Sequence, residues 1–448
     1  MIQSLPELRR QFFADKQTFP EFSAGDPRRS RPLSLEQQKN LAKELLTQWR
    51  GSKDWQRLLA NHPQAGQLTS ESIKLADAQL VLAREAGFQS WAKLKHHVET
   101  AELARQSLQS GQPEAPDADR DTLHIRCGND VMYKLAVAGF NGDFVDFADP
   151  YIQGPVPATD DQESFIRKRA AFIADNSWRQ PEQAYSELAD SYQSLAKGRD
   201  YGRIAFWFEH DAYDVLIFLK LLHFYSDPGE RAPDMRYLCA SHYPGVERFN
   251  GIGQLPVEAM RVLWAQFKPL TEEQFEFGKQ GWDAYTDNTP EALLNYAMQE
   301  KPPLPEIIPA LVRHLQELPW LTDGLSLTER ITLQILAKHG PMDAATLFYR
   351  WYTTVYEPLP FMGDSSYWIV LDELAQAPQP AITLAKLTEK VIDWQVSLTP
   401  FGQQILAGKT LWTTENPYNR WFGGVHNRTD GGIWYWDNVT KQVVKQTG

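Results

Sequence analysis

The sequence predicts an α/β protein of several domains: an N-terminal α-helical domain, a central doubly wound and mainly parallel sheet, and a C-terminal winged-helix-like domain. Strand-like and helix-like segments alternate in the middle of the chain, which is typical of a parallel sheet covered by helices. Helical periodicity dominates before that region, and three helices followed by a hairpin pattern come after it. At about 100–200 residues per domain, 448 residues predict two to four domains.

The domain boundaries are predicted from composition. Residues 109–120 are rich in Pro, Gly and Asp, and residues 301–309 hold four prolines. We therefore predict an extended arm over 1–34, an α-helical domain over 35–108, a linker over 109–120, an α/β Rossmann-like domain over 121–300, and a winged-helix-like domain with C-terminal short strands over 301–448.

Capping patterns predict where several helices begin. Ser34 with Gln37, and Ser326 with Glu329, have the spacing of a capping box. Ser90 is expected to cap a further helix in the N-terminal domain. In the C-terminal domain, residues 380–398 alternate as a hairpin does, and the short segments after residue 420 are expected to be strands.

Four strands are predicted in the central domain, over residues 123–127, 143–148, 203–208 and 235–241. A strongly apolar helix, residues 213–224, follows the third strand. Such a sheet binds ligands outside the carboxyl ends of its strands, near the point where the strand order reverses.

Composition limits the function classes. The net charge is −12, and residues 111–319 hold 19 Lys and Arg against 33 Asp and Glu, so this segment would repel phosphate unless a metal ion intervened. Two cysteines exclude a disulfide framework, and we expect neither a signal peptide nor a membrane span. The expected location is cytoplasmic, and nucleic acid is not favoured as a partner.

Charge also argues against nucleic-acid binding by the predicted winged helix. Its candidate DNA-reading helix, residues 365–375, carries Asp372 and Glu373 but no Lys or Arg that could reach phosphate or guanine. A packing or protein-interaction role is therefore favoured over DNA reading.

Polar residues follow all four predicted strands, which predicts a shared site at that edge of the sheet. The candidate ligand-binding residues are Cys127, Asn129, Asp130, Asp149, Gly154, Glu209 and Gln254. The candidate catalytic residues are His210, Asp211 and His242.

The densest cluster lies at the end of the third strand. Glu209, Asp211 and Asp214 could supply oxygen ligands to Mg²⁺ or Mn²⁺, with His210 as a proton carrier or an extra ligand. In the structural alternative, Asp211 caps the following helix, Asp214 pairs with an arginine and Glu209 is solvated.

Two other features have alternative interpretations. Cys127 could be a thiol of lowered pKa at a helix N-terminus, or a small buried residue at a strand end, and the second is favoured. The rigid loop from Asp149 to Pro157 could form a pocket wall or simply leave the sheet.

The segments HIRCGND, DFADPYIQGPVP, FWFEHDAYDVLIFLKLL and FNGIGQL, over roughly residues 122–270, resemble the bacterial domain-of-unknown-function family 1835. The segments LTERITLQIL, PFMGDSSYWIVLDELA and LTPFGQQILAG resemble its C-terminal extension, and LADAQLVLAREAGFQSWAKLKHHVE resembles a helical segment found ahead of ankyrin repeats in bacterial proteins. The resemblance implies a bacterial origin and supplies no function, because the family is uncharacterised. Family members often have Asp at the position of Asn129 and Leu at that of Ala212.

Two functions of different classes fit these observations. The first is binding or processing of a phosphorylated or nucleotide-like small molecule, with Mg²⁺ as a candidate cofactor. The second is a regulatory adaptor whose helical and winged-helix ends hold protein partners.

Overall fold

The structure, a computed structural model, describes residues 1–15, 33–51, 60–111, 113–176, 179–246 and 248–446. It is a mixed α/β fold, as predicted. The strands are β1 (Gln3–Ser4), β2 (Thr122–Arg126), β3 (Asp143–Asp146), β4 (Arg203–Glu209), β5 (Asp234–Ala240), β6 (Lys268–Pro269), β7 (Met342–Asp343), β8 (Ile382–Lys386), β9 (Trp394–Leu398), β10 (Asn419–Phe422), β11 (Val425–Arg428), β12 (Ile433–Asp437) and β13 (Gln442–Gln446).

The α-helices of the described residues surround these strands. They are α1 (Leu5–Ala14), α2 (Leu35–Gly51), α3 (Leu75–Glu85), α4 (Trp91–Gln109), α5 (Met132–Val137), α6 (Gln162–Asp175), α7 (Pro181–Ala196), α8 (Ala212–Phe224), α9 (Val257–Trp264), α10 (Glu272–Thr286), α11 (Pro290–Ala297), α12 (Ile308–Leu315), α13 (Leu327–His339), α14 (Ala344–Thr353), α15 (Asp364–Gln376), α16 (Pro400–Leu406) and α17 (Trp412–Glu415). None of them is long and apolar enough to cross a membrane.

The main sheet has six strands in the order β1-β3-β2-β4-β5-β6. Its four inner strands are parallel and are the four that the sequence predicts, whereas β1 and β6 pair antiparallel at the edges. From β2 the chain passes to β3 on one side and later to β4 on the other. The strand order therefore reverses between β2 and β4, and a crevice is expected at their carboxyl ends.

Side chains of the sheet alternate between two hydrophobic clusters. Ile125, Phe206 and Phe208 belong to the cluster shared with α6, α7, α8 and α10. Ala205 and Trp207 belong to the opposite cluster, which is shared with α1, α5 and α9. Both faces are thus covered, which explains why β4 reads as a nearly continuous apolar run.

The first cluster continues into the C-terminal segment, where it includes the fully buried Trp351 and Trp436. The hairpin predicted over residues 380–398 forms as β8 and β9, and β7 pairs with β9 to make a three-stranded sheet. The capping box of Ser326 and Glu329 is confirmed. The winged-helix-like assignment and the domain boundaries stay predictions.

Helices α2 and α4 begin as predicted, whereas α3, expected from Ser70, begins at Leu75. The Gln37 amide donates to Ser34 Oγ, and the Lys93 amide donates to Ser90 Oγ. Helix α4 contacts α9, where Arg105 pairs with Glu258 at 3.0 Å.

The prediction of an extended arm over residues 1–34 is wrong for its first part, because residues 3–14 form β1 and α1. Leu5, Leu8 and Phe12 share one face of α1 and are buried. Leu5 and Leu8 belong to the second hydrophobic cluster, and Phe12 packs against Tyr133 at its edge. Arg9 also donates to the carbonyls of Ala136 and Phe140. Residues 16–32 of the predicted arm lie outside the described residues.

A buried arginine fixes the loop after β3. Arg169 and Asp149 are 0% and 1% exposed and pair at 2.6 Å. The remaining guanidinium N–H groups donate to the carbonyls of Pro150, Gln153 and Pro155, so one side chain organises the whole loop. Asp149 thereby holds the loop in place through Arg169.

We expect Asp149→Asn to lower the free energy of unfolding by about 3–5 kcal/mol, because it leaves the Arg169 charge buried without a counter-charge. The matched control is Glu163→Gln, the same loss of charge in an exposed pair with Arg167 at 2.6 Å, which should leave the unfolding midpoint nearly unchanged. Urea unfolding measures both. Equal unfolding midpoints for the two variants would contradict the structural role of Asp149.

Candidate functional site

A cavity of about 1190 Å³ lies at the carboxyl ends of β2 and β4, where the strand order reverses. The strand ends supply one wall, and the loop over residues 250–254 supplies another. Helices α14 and α15, with the segment 360–363 between them, supply the opposite wall. The cavity therefore lies where a sheet of this kind binds ligands, between the sheet and the C-terminal segment.

Arg126, the last residue of β2, lies at the centre of the wall formed by the strand ends. Its side chain is buried, with 4% exposure. Its guanidinium has five N–H groups, and the structure gives an acceptor to each. Nε and Nη2 donate to the two carboxylate oxygens of Asp130, Nη2 also donates to Glu209, and Nη1 donates to Asp214 and to the Trp207 carbonyl. Arg126 thus joins the ends of β2 and β4 to the start of α8.

The start of α8 is held by its own carboxylates. Asp211 caps the helix by accepting the Asp214 amide at 2.9 Å, and Asp214 accepts the Glu209 amide at 2.7 Å. Two parts of the structural alternative, the cap by Asp211 and the pairing of Asp214 with an arginine, are confirmed. Its third part is wrong, because Glu209 is 4% exposed and contacts Arg126 instead of solvent.

Cys127 belongs to the same cluster, since its thiol donates to Asp214 Oδ1 at 2.5 Å. Burial raises the pKa of the Cys127 thiol well above its ordinary value, and the neighbouring carboxylates raise it further. The thiol therefore stays protonated, which confirms the interpretation of Cys127 as a small buried residue at a strand end.

Two glycines bring the backbone against the carboxylates. A Cβ at Gly251 would lie 2.6 Å from Glu209 Oε2, and one at Gly253 would lie 2.5 Å from Asp130 Oδ2. The Ile252 amide between them donates to Glu209 Oε1 at 2.6 Å. The sequence Gly-Ile-Gly is therefore required by close packing against acidic side chains.

The site carries more negative than positive charge. Arg126 faces the carboxylates of Asp130, Glu209 and Asp214, and Asp211 adjoins Asp214. Burial raises the pKa of Glu209 well above its ordinary value, and repulsion from Asp214 adds to this. Burial and Asp214 raise the pKa of Asp211 in the same way. Without further positive charge, the repulsion between these carboxylates is reduced only when one of them binds a proton.

The structure brings most of the predicted site residues to this cavity. The following line it: Cys127, Asn129, Asp130, Glu209, Asp211, Asp214 and Gln254. Gln254 also accepts the Asn250 amide and donates to the Arg248 carbonyl, so it shapes the loop that forms one wall.

Four predicted residues are not among the described residues that line the cavity. Asp149 is engaged by Arg169, and Gly154 lies in the same loop at φ 76° with the ring of Phe172 against it. His210 packs near the ring of Phe249, with ring centroids 5.9 Å apart, and burial lowers its pKa. His242 is exposed and lies beside Gly87 of the N-terminal segment.

Sequence reasoning missed two parts of the site. Arg126 is the last residue of a fully buried strand, and a buried arginine indicates that carboxylates lie nearby. The aromatic wall formed by Phe348, Tyr349, Tyr352 and Phe361 comes from α14 and the segment before α15, more than 130 residues further along the chain. No local pattern could have assigned these rings to the site.

The chain was also compared with known proteins. No protein-family model matches it, and no curated protein matches it. The resemblance to family 1835 therefore stays a prediction.

We expect Arg126→Met to lower the free energy of unfolding at neutral pH by about 3–5 kcal/mol, because it leaves buried carboxylates without their cation. The loss should shrink as the pH falls, because protonated carboxyls need no counter-charge. Burial raises the pKa of Glu209 and Asp211 above that of the unfolded chain, so the folded variant binds protons first and is stabilised relative to the unfolded chain.

Arg179→Met is the matched control for this variant. Arg179 lines the same cavity, but it is 51% exposed and pairs with a half-exposed Glu187, so the change should cost less than about 1 kcal/mol. Urea unfolding across the pH range measures both variants. A loss for Arg126→Met that does not depend on pH would contradict the electrostatic explanation.

Proposed function

We propose that the cavity binds a divalent cation together with a phosphorylated, nucleotide-like small molecule. The observation that carries the proposal is a cluster of three carboxylates, Glu209, Asp211 and Asp214, set in the wall of a large cavity. One ligand atom from each lies within 4.8 Å of the others, a spacing that one ion can bridge.

The electrostatics of the cluster favour a cation. Carboxylate oxygens are the ligands that Mg²⁺ and Mn²⁺ take in proteins, and water or substrate oxygens complete the shell. A bound ion would supply the positive charge that Arg126 alone does not, and it would stabilise the ionised forms of Glu209 and Asp211. Burial raises the pKa of both groups, and a cation beside them would lower it again.

The ion would also give the acidic cavity its attraction for phosphate. Among the described residues that line the cavity, carboxylates outnumber the guanidinium groups of Arg126 and Arg179. A phosphate entering without a cation would be repelled, whereas a bound Mg²⁺ reverses the local field. In this proposal the cation holds the phosphate end of the ligand.

The opposite wall suits a planar ring. Phe348, Tyr349, Tyr352 and Phe361 face the cavity, and aromatic side chains stack on nucleobases with little dependence on the base. The cavity is large enough for a nucleotide, since ligand sites of this kind span about 300–1,000 Å³. A ligand with phosphate at one end and a ring at the other matches both walls.

We expect Asp211→Asn to weaken Mg²⁺ and Mn²⁺ binding at least tenfold, measured by isothermal titration calorimetry. Asn keeps the helix cap, so the fold is retained while one charged ligand is lost. His210→Ala and Asp146→Asn are the controls. His210 is adjacent in sequence and points elsewhere, and Asp146 lines the cavity outside the cluster. Equal affinity in all variants would refute the cation site.

We expect AMP and ADP to raise the melting temperature of the wild-type protein in the presence of Mg²⁺, because a ligand of the folded state stabilises it by mass action. Tyr349→Ala should reduce the shift for these nucleotides and preserve the shift for pyrophosphate, since the variant removes ring stacking alone. Tyr349 is 42% exposed, so its truncation leaves the core intact. No Mg²⁺-dependent shift with any phosphate compound would refute the phosphorylated ligand.

A further inference from the structure

A second concave surface lies on the other side of α14. It is a groove of about 780 Å³ between α13 and α14. Its lining, which we call the α13–α14 groove, consists of Ile331, Gln334, Ile335, Lys338, His339, Thr346, Tyr349, Arg350, Thr353, Thr354 and Tyr356. Both helices contribute residues three or four apart, so each presents one continuous face to the groove.

The charged lining of this groove is basic. Lys338, His339 and Arg350 contribute to it, and no Asp or Glu is among its described lining residues. Within the described part of the chain, neither Lys338 nor Arg350 has an ion-pair partner. Unpaired cations around one groove are notable in a chain of net charge −12. Since no described residue pairs with them, they are available to an anionic ligand.

Apolar and aromatic surface accompanies these cations. Ile331 and Ile335 form a buried floor, and Tyr349 and Tyr356 are 42% and 64% exposed. Val355, beside the groove, is 85% exposed. Exposed aromatic side chains with cations around them are typical of a protein interface, because they combine apolar area with polar contacts at the rim.

We propose that the α13–α14 groove binds an acidic polypeptide segment of a partner protein. Its Asp and Glu side chains would pair with Lys338 and Arg350, and an apolar side chain would lie on Ile331 and Ile335 between Tyr349 and Tyr356. A short segment seated between two helices is an established mode of peptide recognition.

Charge favours such a segment over nucleic acid. Duplex DNA needs several phosphate contacts from a broad basic face, and this groove offers three basic side chains. A short acidic peptide, by contrast, needs only the few cations that the groove offers.

The test uses the full-length protein and a fluorescein-labelled peptide in which Asp and Glu alternate with Leu and Phe. Fluorescence anisotropy should show binding that weakens with salt, and a peptide with Lys in place of the acidic residues should not bind. Lys338→Glu combined with Arg350→Glu should weaken binding at least tenfold. Tyr356→Ser should weaken it with all charges retained.

The matched control is Lys39→Glu combined with Lys43→Glu, the same charge change on exposed positions of α2. This variant should bind the acidic peptide as the wild-type protein does. The proposal is overturned if the acidic peptide does not bind, if both double variants weaken binding equally, or if a DNA duplex binds through Lys338 and Arg350 and the peptide does not. Unchanged melting temperatures show that the variants remain folded.

Discussion

The interaction on which the site depends is the burial of one guanidinium, that of Arg126, at the end of β2. A buried arginine requires an acceptor for each N–H and a negative charge nearby. The chain meets both requirements with carboxylates from β4, α8 and the turn after β2 and with the Trp207 carbonyl, which fixes the relative positions of those elements. Gly251 and Gly253 then let the neighbouring loop close over the carboxylates.

A second buried arginine shows why the first marks a candidate site. Arg169 pairs with one carboxylate, that of Asp149, and directs its other N–H groups to backbone carbonyls, so its charge is balanced. Arg126 faces three carboxylates and one carbonyl, so its surroundings are left with excess negative charge. A purely structural pair does not need that excess, and a cation site does.

Helix α14 connects the two proposed binding surfaces. Its residues Phe348 and Tyr352 face the cavity, Arg350 and Thr353 face the α13–α14 groove, and Tyr349 contributes to both. The helix is anchored between them by Leu347 and Trp351, which are fully buried. A rigid helix with two functional faces would place a small-molecule site and a protein-docking surface back to back.

The sequence by itself determined the inner strands, the caps at Ser34, Ser90 and Ser326, and the carboxylates at the end of β4, because these depend on local periodicity and on residues a few positions apart. It could not assign the partner of Glu209 and Asp214. Arg126 lies more than 80 residues earlier in the chain, and parallel pairing of β2 with β4 brings it there. Tertiary packing likewise decided three other features: the separation of the histidines from the cavity, the aromatic wall, and the role of Asp149. The physical reason is that a sequence pattern assigns a residue to a helix or strand, but it does not say which distant element packs against that residue.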